Sequence, residues 1–184
     1  HAPQAGLIDP AAGSVLSITE ALTNIVGANL NGGLKAVSLS ANWMWPCRNE
    51  GEDAGLFRAV KACSDFACSL GINIPTGKDS LSMTQKYGNK KVIAPGTVII
   101  SAGGEVCDVK KTVSPVLQQK KSRLYYIDFS GCDMQLGGSA LAQSMGLLGD
   151  KAPGVKSADY FANAFNAVQA LVENKQLLAA HDIS

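Results

Sequence analysis

The stretch GEDAGLFRAVKACSDFACSLG (51–71) and the following INIPTGKDSLSM (72–83) decide the fold class, because a helical pattern leads directly into an extended apolar run. The apolar side chains of the first part recur at helical spacing: Leu56, Val60, Cys63, Ala67 and Leu70. Gly71 stands where a helix is expected to end. The second part predicts a polar turn, Gly77–Ser80, between two buried segments.

Helical and extended patterns alternate in the rest of the first two thirds of the chain. SITEALTNIVGA (17–28) predicts a helix in which Ser17 and Glu20 have the spacing of a capping box. LKAVSLS (34–40) alternates as a half-buried strand does, and GTVIISAGGEV (96–106) is a β-branched run typical of a buried strand. We therefore expect an α+β fold with mixed sheets flanked by helices.

The composition becomes polar and basic at SPVLQQKKSR (114–123), which predicts a linker. After it, LYYIDFS (124–130) predicts a strand that leads through a glycine-rich turn into a helix, and a long helix is expected over 157–173. The expected division is a first domain, a linker and the start of a second domain: 1–116, 117–123 and 124–184. Neither domain has enough elements to bury its apolar faces, so we expect a segment of a larger protein.

Composition argues against several classes of partner. The 184 residues are 46% hydrophobic with a net charge of +1, which allows a core and gives no electrostatic case for nucleic acid or an anionic membrane. No apolar run approaches the roughly 18 to 20 residues that span a bilayer. The five cysteines contain no C-x-x-C pair, which favours reduced thiols in a cytoplasmic protein, and neither histidine has a cysteine nearby for a zinc site.

Oxygen-bearing side chains at two places suit a divalent cation. Glu20 and Asn24 lie four apart, hence on one helix face, and offer the oxygen ligands that Mg²⁺ prefers. The structural alternative is that Glu20 closes the capping box and Asn24 is solvated. Near the end of the chain, Asp182 can complete a Mg²⁺ site and Ser184 can donate to a phosphate, or either residue can cap a following helix.

Three other segments offer polar groups to a ligand. Gly77–Ser80 combines a flexible backbone, an ammonium group and a hydroxyl, which favours phosphate, although a polar turn explains it equally well. It is not a Walker A sequence, because Ile72 stands where the upstream glycine is required. LGGSALAQ (136–143) opens a helix with a glycine pair, which suits an anion or tight packing. Asn42, expected at a strand end, is a further ligand candidate.

Several of these motifs together resemble one enzyme family. EALTNI, LSANWMW, GEDAGL, AVKACSDF, IPTGKDSLSM, GTVIISA, LGGSALAQ and HDIS occur in the order found in phosphoribosylformylglycinamidine synthase, the large purine-biosynthesis enzyme. The resemblance covers nearly the whole chain. It is to the second half of that enzyme, from inside an A domain of the aminoimidazole ribonucleotide synthetase type into the B domain that follows. The family enzyme also has a homologous first half and a glutaminase.

The resemblance implies a reaction and its cofactors. In this family ATP phosphorylates the amide oxygen of formylglycinamide ribonucleotide, and ammonia from glutamine displaces the phosphate to give formylglycinamidine ribonucleotide and ADP. Glu20, Asn24 and Asp182 match magnesium positions and Ser184 matches a nucleotide contact. In this half of the enzyme that nucleotide site is thought to be auxiliary.

The resemblance also implies roles for the polar turn. Gly77 would lie beside ATP, Lys78 beside its phosphates and Ser80 beside the ribonucleotide substrate, in a catalytic site that needs the first half of the enzyme. Small-subunit relatives carry asparagine where Lys78 stands, so a direct phosphate contact is expected instead of metal ligation.

Two functions therefore compete. The leading one is part of an ATP-dependent amidine-forming ligase, and the alternative is a non-catalytic nucleotide-binding scaffolding module. A related synthetase acting on selenide is disfavoured because its nucleophile motif is missing. The glutaminase cysteine and the first half's phosphate loop lie outside the resemblance, so the chain alone is expected to be inactive without the rest of the synthase, and to self-associate through exposed sheet surface.

Overall fold

Helices and strands alternate along the first part of the chain, and the computed structural model describes residues 1–183. The elements are, in order, α1 (Pro3–Ile8), α2 (Pro10–Ile25), a 3₁₀ turn (Gly33–Ala36), β1 (Ser38–Met44), α3 (Glu52–Leu70), β2 (Asn73–Ser80), β3 (Thr84–Tyr87), β4 (Lys90–Ile93), β5 (Thr97–Gly103), a second 3₁₀ turn (Val109–Lys111), α4 (Ala140–Ser144) and α5 (Ala158–Glu173). Within this range, none of the helices combines the length and hydropathy needed to span a bilayer.

β1 is the central strand of a three-stranded sheet with the order β2-β1-β5. It pairs in parallel with β2 and antiparallel with β5, and α3 provides the crossover that a parallel pair requires. β3 and β4, which follow β2 and precede β5 in the sequence, form a separate antiparallel hairpin. The expected α+β class, with mixed sheets and flanking helices, is confirmed.

The core lies between one face of this sheet and the helices α2, α3 and α5. β1 and β5 alternate buried and more exposed residues, so one side chain in two points into the core. Ile18 and Leu22 of α2 are fully buried there, and burying each contributes about 1.5 to 3 kcal/mol. Core residues from the other elements include Leu39, Leu70, Val98, Ile100, Phe161 and Phe165.

The helix predicted over 157–173 is confirmed as α5, and it packs on this same core. The hydroxyl of Ser157 caps its start by accepting a hydrogen bond from the backbone N–H of Tyr160 at 3.1 Å. Phe161 is fully buried, with its ring centroid 6.1 Å from that of Phe66 in α3 and 5.5 Å from that of Phe129. The proposed division of the chain at 117–123 stays a prediction, and α5 contributes to the core formed by the earlier elements.

Gln169 of α5 holds the turn that follows α2. Its Nε2 donates to the carbonyls of Val26 at 2.7 Å and Ala28 at 2.8 Å, and its Oε1 accepts from the N–H of Leu30 at 3.0 Å. The side chain is 9% exposed. Carbonyls at the end of a helix have no partner within the helix, so the amide supplies what the turn lacks.

The helix predicted over 17–28 corresponds to α2, and its observed start differs from the prediction. α2 begins at Pro10, and Asp9 is its N-cap, with its carboxylate accepting from the N–H of Ala11. The capping box of Ser17 and Glu20 is therefore wrong: Ser17 lies buried inside the helix, where its hydroxyl donates to the carbonyl of Gly13 at 2.8 Å. A proline at the first helical position and an aspartate before it are a stronger start signal than S-x-x-E.

Three predicted segments also need correction. The strand expected over 34–40 begins at Ser38, because the glycine pair before it starts a 3₁₀ turn. Gly77–Ser80 is not a turn but the second half of β2. Residues 124–130 form no strand among the described residues; a strand needs a neighbouring one for its backbone hydrogen bonds, and Leu124 is 92% exposed.

The helix predicted over 51–71 is confirmed as α3, with Gly71 in the left-handed conformation at its end, but its buried face differs. The buried residues are Gly55, Ala59, Cys63, Ala67 and Leu70. Val60 of the predicted stripe is 42% exposed. The small side chains allow α2 to pack closely, as the buried hydrogen bond from the Ser14 hydroxyl to the Ala59 carbonyl at 2.8 Å indicates.

We predict that Gln169→Leu lowers the free energy of unfolding by about 2 to 4 kcal/mol, because two part-buried carbonyls and one buried N–H lose their partner. Denaturant unfolding followed by circular dichroism measures the change. The matched control is Gln176→Leu, at an exposed position after the same helix, which should alter stability by less than about 0.5 kcal/mol. Equal effects of the two substitutions would contradict the role assigned to Gln169.

Candidate functional site

Three of the predicted site residues lie together on the sheet face opposite the helices. In register, Asn42 is opposite Lys78 and Met44 is opposite Ser80. Residues directly opposite on neighbouring strands point to the same face. Because Leu39 and Ala41 point into the core, Asn42, Lys78 and Ser80 lie on the other face, and we call them the sheet-face cluster.

The sheet-face cluster combines a cation, a hydroxyl and an amide with an unused acceptor. Lys78 and Ser80 are exposed, and Lys78 forms no ion pair within residues 1–183. The Oδ1 of Asn42 is buried and has no hydrogen-bond partner in the same range. A buried polar atom without a partner costs about 1 to 3 kcal/mol, so this oxygen is a position where a ligand can contribute.

Gly77 lies between these residues in sequence but points to the helix face, opposite Ala41. A Cβ at this position would lie 2.1 Å from the carbonyl oxygen of Ala41, so the approach of β2 to β1 requires glycine here. The pairing is irregular just before this point, between Ser38 and Ser40. The close packing of the two strands therefore requires glycine at position 77, independently of the nucleotide contact implied by the resemblance.

We predict that Gly77→Ala destabilises the chain by about 1 to 3 kcal/mol, because the new methyl group overlaps the backbone of β1. Gly103→Ala in β5 is the control, since a Cβ there meets nothing within 4 Å. Thermal unfolding of both variants measures the difference. If Gly77→Ala unfolds at the wild-type temperature, the close approach between the strands is wrong.

The structure also brings together two of the three predicted magnesium ligands. The Nδ2 of Asn24 donates to Oδ2 of Asp182 at 3.2 Å, although the residues are 158 positions apart, and to the carbonyl of Glu20 at 3.3 Å. Glu20 lies one turn earlier on α2. We call Glu20, Asn24 and Asp182 the helix cluster; the predicted nucleotide contact of Ser184 lies outside the described residues.

The helix cluster has oxygen ligands suited to a hard cation. Within residues 1–183 no three His, Cys, Asp or Glu side chains form a metal-binding group, so a cation there would need the amide of Asn24 as well as carboxylates. Mg²⁺ accepts such a set because it keeps several waters and phosphate oxygens. The amide nitrogen of Asn24 now faces Asp182, so its oxygen would have to turn toward the cation.

The two clusters lie in different parts of the structure. α2 packs on the core face of the sheet through Ile18 and Leu22, whereas the sheet-face cluster is on the opposite face. Glu20 and Asn24 lie on the other side of α2 from these two core residues, because positions two apart differ by about 200° around a helix. The chain thus presents two separate polar sites.

The remaining candidates have structural explanations. A Cβ on Gly137 would lie 2.2 Å from the carbonyl oxygen of Lys151, and one on Gly138 2.7 Å from the nitrogen of Ala5, so LGGSALAQ is tightly packed.

Burial raises the pKa of the Cys63 thiol to about 11, and burial together with the charge of Asp53 raises the pKa of Cys47. Both thiols stay protonated at neutral pH, which disfavours them as nucleophiles.

Sequence reasoning missed Thr97. It is opposite Met44 on the sheet-face side, and its buried hydroxyl has no hydrogen-bond partner within residues 1–183. Ser80 and Thr97 flank Met44 from the two outer strands, an arrangement that only the strand register creates, so no local motif could have found it. His181 was considered only for zinc; its Nδ1 lies 3.2 Å from Oδ1 of Asp182.

The family model described as FGAR-AT PurM_N-like domain matches residues 1–105. This range contains the whole sheet, α2 and α3, and therefore the complete sheet-face cluster together with Glu20 and Asn24. Asp182 and α5 lie beyond the match.

Proposed function

The chain belongs to the FGAR-AT PurM_N-like domain family, and from this membership we propose that it is part of an ATP-dependent ligase of purine biosynthesis. FGAR-AT stands for formylglycinamide ribonucleotide amidotransferase, so membership implies an amide-transferring ligase in general terms. In the proposed reaction ATP phosphorylates the amide oxygen of that ribonucleotide, and ammonia derived from glutamine then displaces phosphate. The products are formylglycinamidine ribonucleotide, ADP and phosphate.

The observation that carries this proposal is on one sheet face, where the Oδ1 of Asn42 lies opposite Lys78 and neither group has a hydrogen-bond or ion-pair partner in the part of the chain that the structure describes. An ammonium group attracts phosphate oxygens, and an amide oxygen accepts from a nucleotide or ribose donor. We propose that Lys78 contacts the phosphates of ATP and that Ser80 contacts the ribonucleotide substrate. We propose that Gly77, which precedes Lys78 in β2, approaches the nucleotide through its backbone only.

We further propose that the helix cluster binds Mg²⁺ with a nucleotide, ATP or ADP. When bound, the cation neutralises phosphate charge. Asp182 and Glu20 supply carboxylate oxygens, Asn24 supplies an amide oxygen, and Ser184 contacts the nucleotide. The hydrogen bond between Asn24 and Asp182 supports the proposal because it joins ligands from distant parts of the chain.

Two variants of one residue test the helix cluster. Asp182→Asn keeps an oxygen that can accept from Asn24 but removes the charge, whereas Asp182→Ala removes both. We predict that both variants lose Mg²⁺-dependent ADP affinity by at least about tenfold, and that only Asp182→Ala also lowers the unfolding temperature. Isothermal titration with ADP, with and without Mg²⁺, measures the affinity.

The charge control for this test is Asp133→Asn, at an exposed aspartate outside the cluster. It should bind Mg-ADP as the wild type does. The same ADP affinity with and without Mg²⁺ in the wild-type chain, or unchanged affinity in Asp182→Asn, would show that the helix cluster is not a magnesium site.

A scaffolding function is the second candidate, and the same hydrogen bond favours it. The contact between Asn24 and Asp182 ties the end of the described chain to α2 directly through protein side chains. Glu20→Ala or Asp182→Ala in the full-length synthase separates the two functions. Loss of stability with nearly normal turnover per folded molecule supports scaffolding, whereas loss of turnover with normal folding supports chemistry.

We predict that the chain alone forms no amidine and self-associates in solution. Lys78 and Ser80 are exposed, and a phosphoryl-transfer site needs water excluded by further surface, proposed to come from the rest of the synthase in the cytoplasm. Amidine formation from ATP, ammonia and substrate tests the first statement, and light scattering tests the second. Turnover by the isolated chain, or a strictly monomeric mass, would contradict the corresponding statement.

A further inference from the structure

The hairpin of β3 and β4, which we call the basic hairpin (residues 81–95), concentrates positive charge. It contains three of the 16 lysines and arginines of the chain and none of its 15 acidic residues. The three are Lys86, Lys90 and Lys91, and all are exposed. Within residues 1–183 none of them forms an ion pair, although the chain as a whole is almost neutral.

The folding of the hairpin does not explain this charge. Lys86 and Lys91 are directly opposite each other on the two strands, and like charges in such pairs destabilise a sheet. A hairpin of two short, exposed strands has little burial to offset the repulsion. An anion between the two ammonium groups would remove it.

The base of the basic hairpin is fixed beside the sheet-face cluster. The N–H of Cys47 donates to the carbonyl of Leu81 at 3.1 Å, and Nδ2 of Asn49 donates to the hydroxyl of Thr84 at 2.9 Å. Leu81 directly follows Ser80 in the chain. At about 3.3 Å per residue, Lys86 lies within about 20 Å of Ser80 even if the intervening residues are fully extended, so a phosphorylated ligand held at Ser80 can extend toward the hairpin.

We propose that the basic hairpin binds the phosphate of a phosphorylated ligand held at the sheet-face cluster. This inference rests on the proposed function and adds Lys86 and Lys91 as ligand-binding residues. Two flexible ammonium groups bind phosphate oxygens as point charges and tolerate several orientations. The phosphate belongs either to the nucleotide or to the ribose 5-phosphate part of the second substrate, and the two sources share this chemistry.

Titrations in metal-free buffer at low ionic strength test the inference. Without Mg²⁺, the nucleotide binding proposed for the helix cluster does not contribute to the signal. The probes are ATP, adenosine, ribose 5-phosphate and ribose. We expect Lys86→Gln/Lys91→Gln to weaken binding of ATP or of ribose 5-phosphate by about tenfold, and to leave adenosine and ribose unchanged. The probe that loses affinity identifies the source of the phosphate.

The control is Lys120→Gln/Lys121→Gln, which removes two exposed lysines from a different segment. It should bind every probe as the wild type does. The hairpin variant should keep the wild-type unfolding temperature or exceed it slightly, because the substitution removes a repulsion. Added salt should weaken phosphate binding more in the wild type than in the hairpin variant.

Several results would overturn the inference. Lysines on exposed strands also prevent edge-to-edge association, and if that is their role the hairpin variant will bind all probes normally. Equal losses in the hairpin and control variants would indicate a nonspecific charge effect, and the absence of any phosphate binding would equally reject the site.

The variant Lys78→Gln distinguishes failure of the hairpin inference from failure of the proposed function. If Lys78→Gln weakens phosphate binding and the hairpin variant does not, the hairpin inference is wrong and the phosphate contact of Lys78 stands. If only the hairpin variant weakens binding, the hairpin inference holds and the role proposed for Lys78 is wrong.

Discussion

The hydrogen bonds of the Gln169 side-chain amide hold α5 against the rest of the structure. The amide accepts from one buried N–H and donates to two part-buried carbonyls of residues 26–30. Because one rigid amide meets three backbone groups, it fixes the position of α5 more closely than apolar packing alone does. Phe161 and Phe165 then enter the core beside α2 and α3. The end of α2, which leads from Asn24 into the sheet, is thereby held in one conformation.

The period of two along a strand explains why the chain has two polar sites and not one. Alternate residues of β1 are committed to the core, so Asn42 and its neighbours on β2 are left on the opposite face, away from the helices. Glu20 and Asn24 are kept out of the core by the helical period in the same way. The residues expected at an auxiliary nucleotide site and those expected at the catalytic site therefore lie in separate places within this chain.

The sequence predicted well those elements whose signals are local. α3 and α5 were found because apolar periodicity, Gly71 and a long uninterrupted pattern agree, and β5 because β-branched residues run up to a glycine pair. Local signals also misled: the S-x-x-E spacing at Ser17 competes with Asp9-Pro10, and only the second pair lies at the helix start. The segment 124–130 has strand composition, yet a strand forms only with a partner, which composition does not report.

The site was predictable as residue types but not as an arrangement. Asn42, Lys78 and Ser80 were identified from their chemistry, whereas their common face follows from the register of β1 with β2, which no single segment encodes. At Gly77 only the predicted turn is wrong: the residue lies in β2, where the carbonyl of Ala41 leaves no room for a side chain. A strand held this close to its neighbour is a more rigid support for a lysine than a turn would be. The ammonium group of Lys78 is then the flexible part, and the proposed anion contact would require no reorganisation of the backbone beneath it.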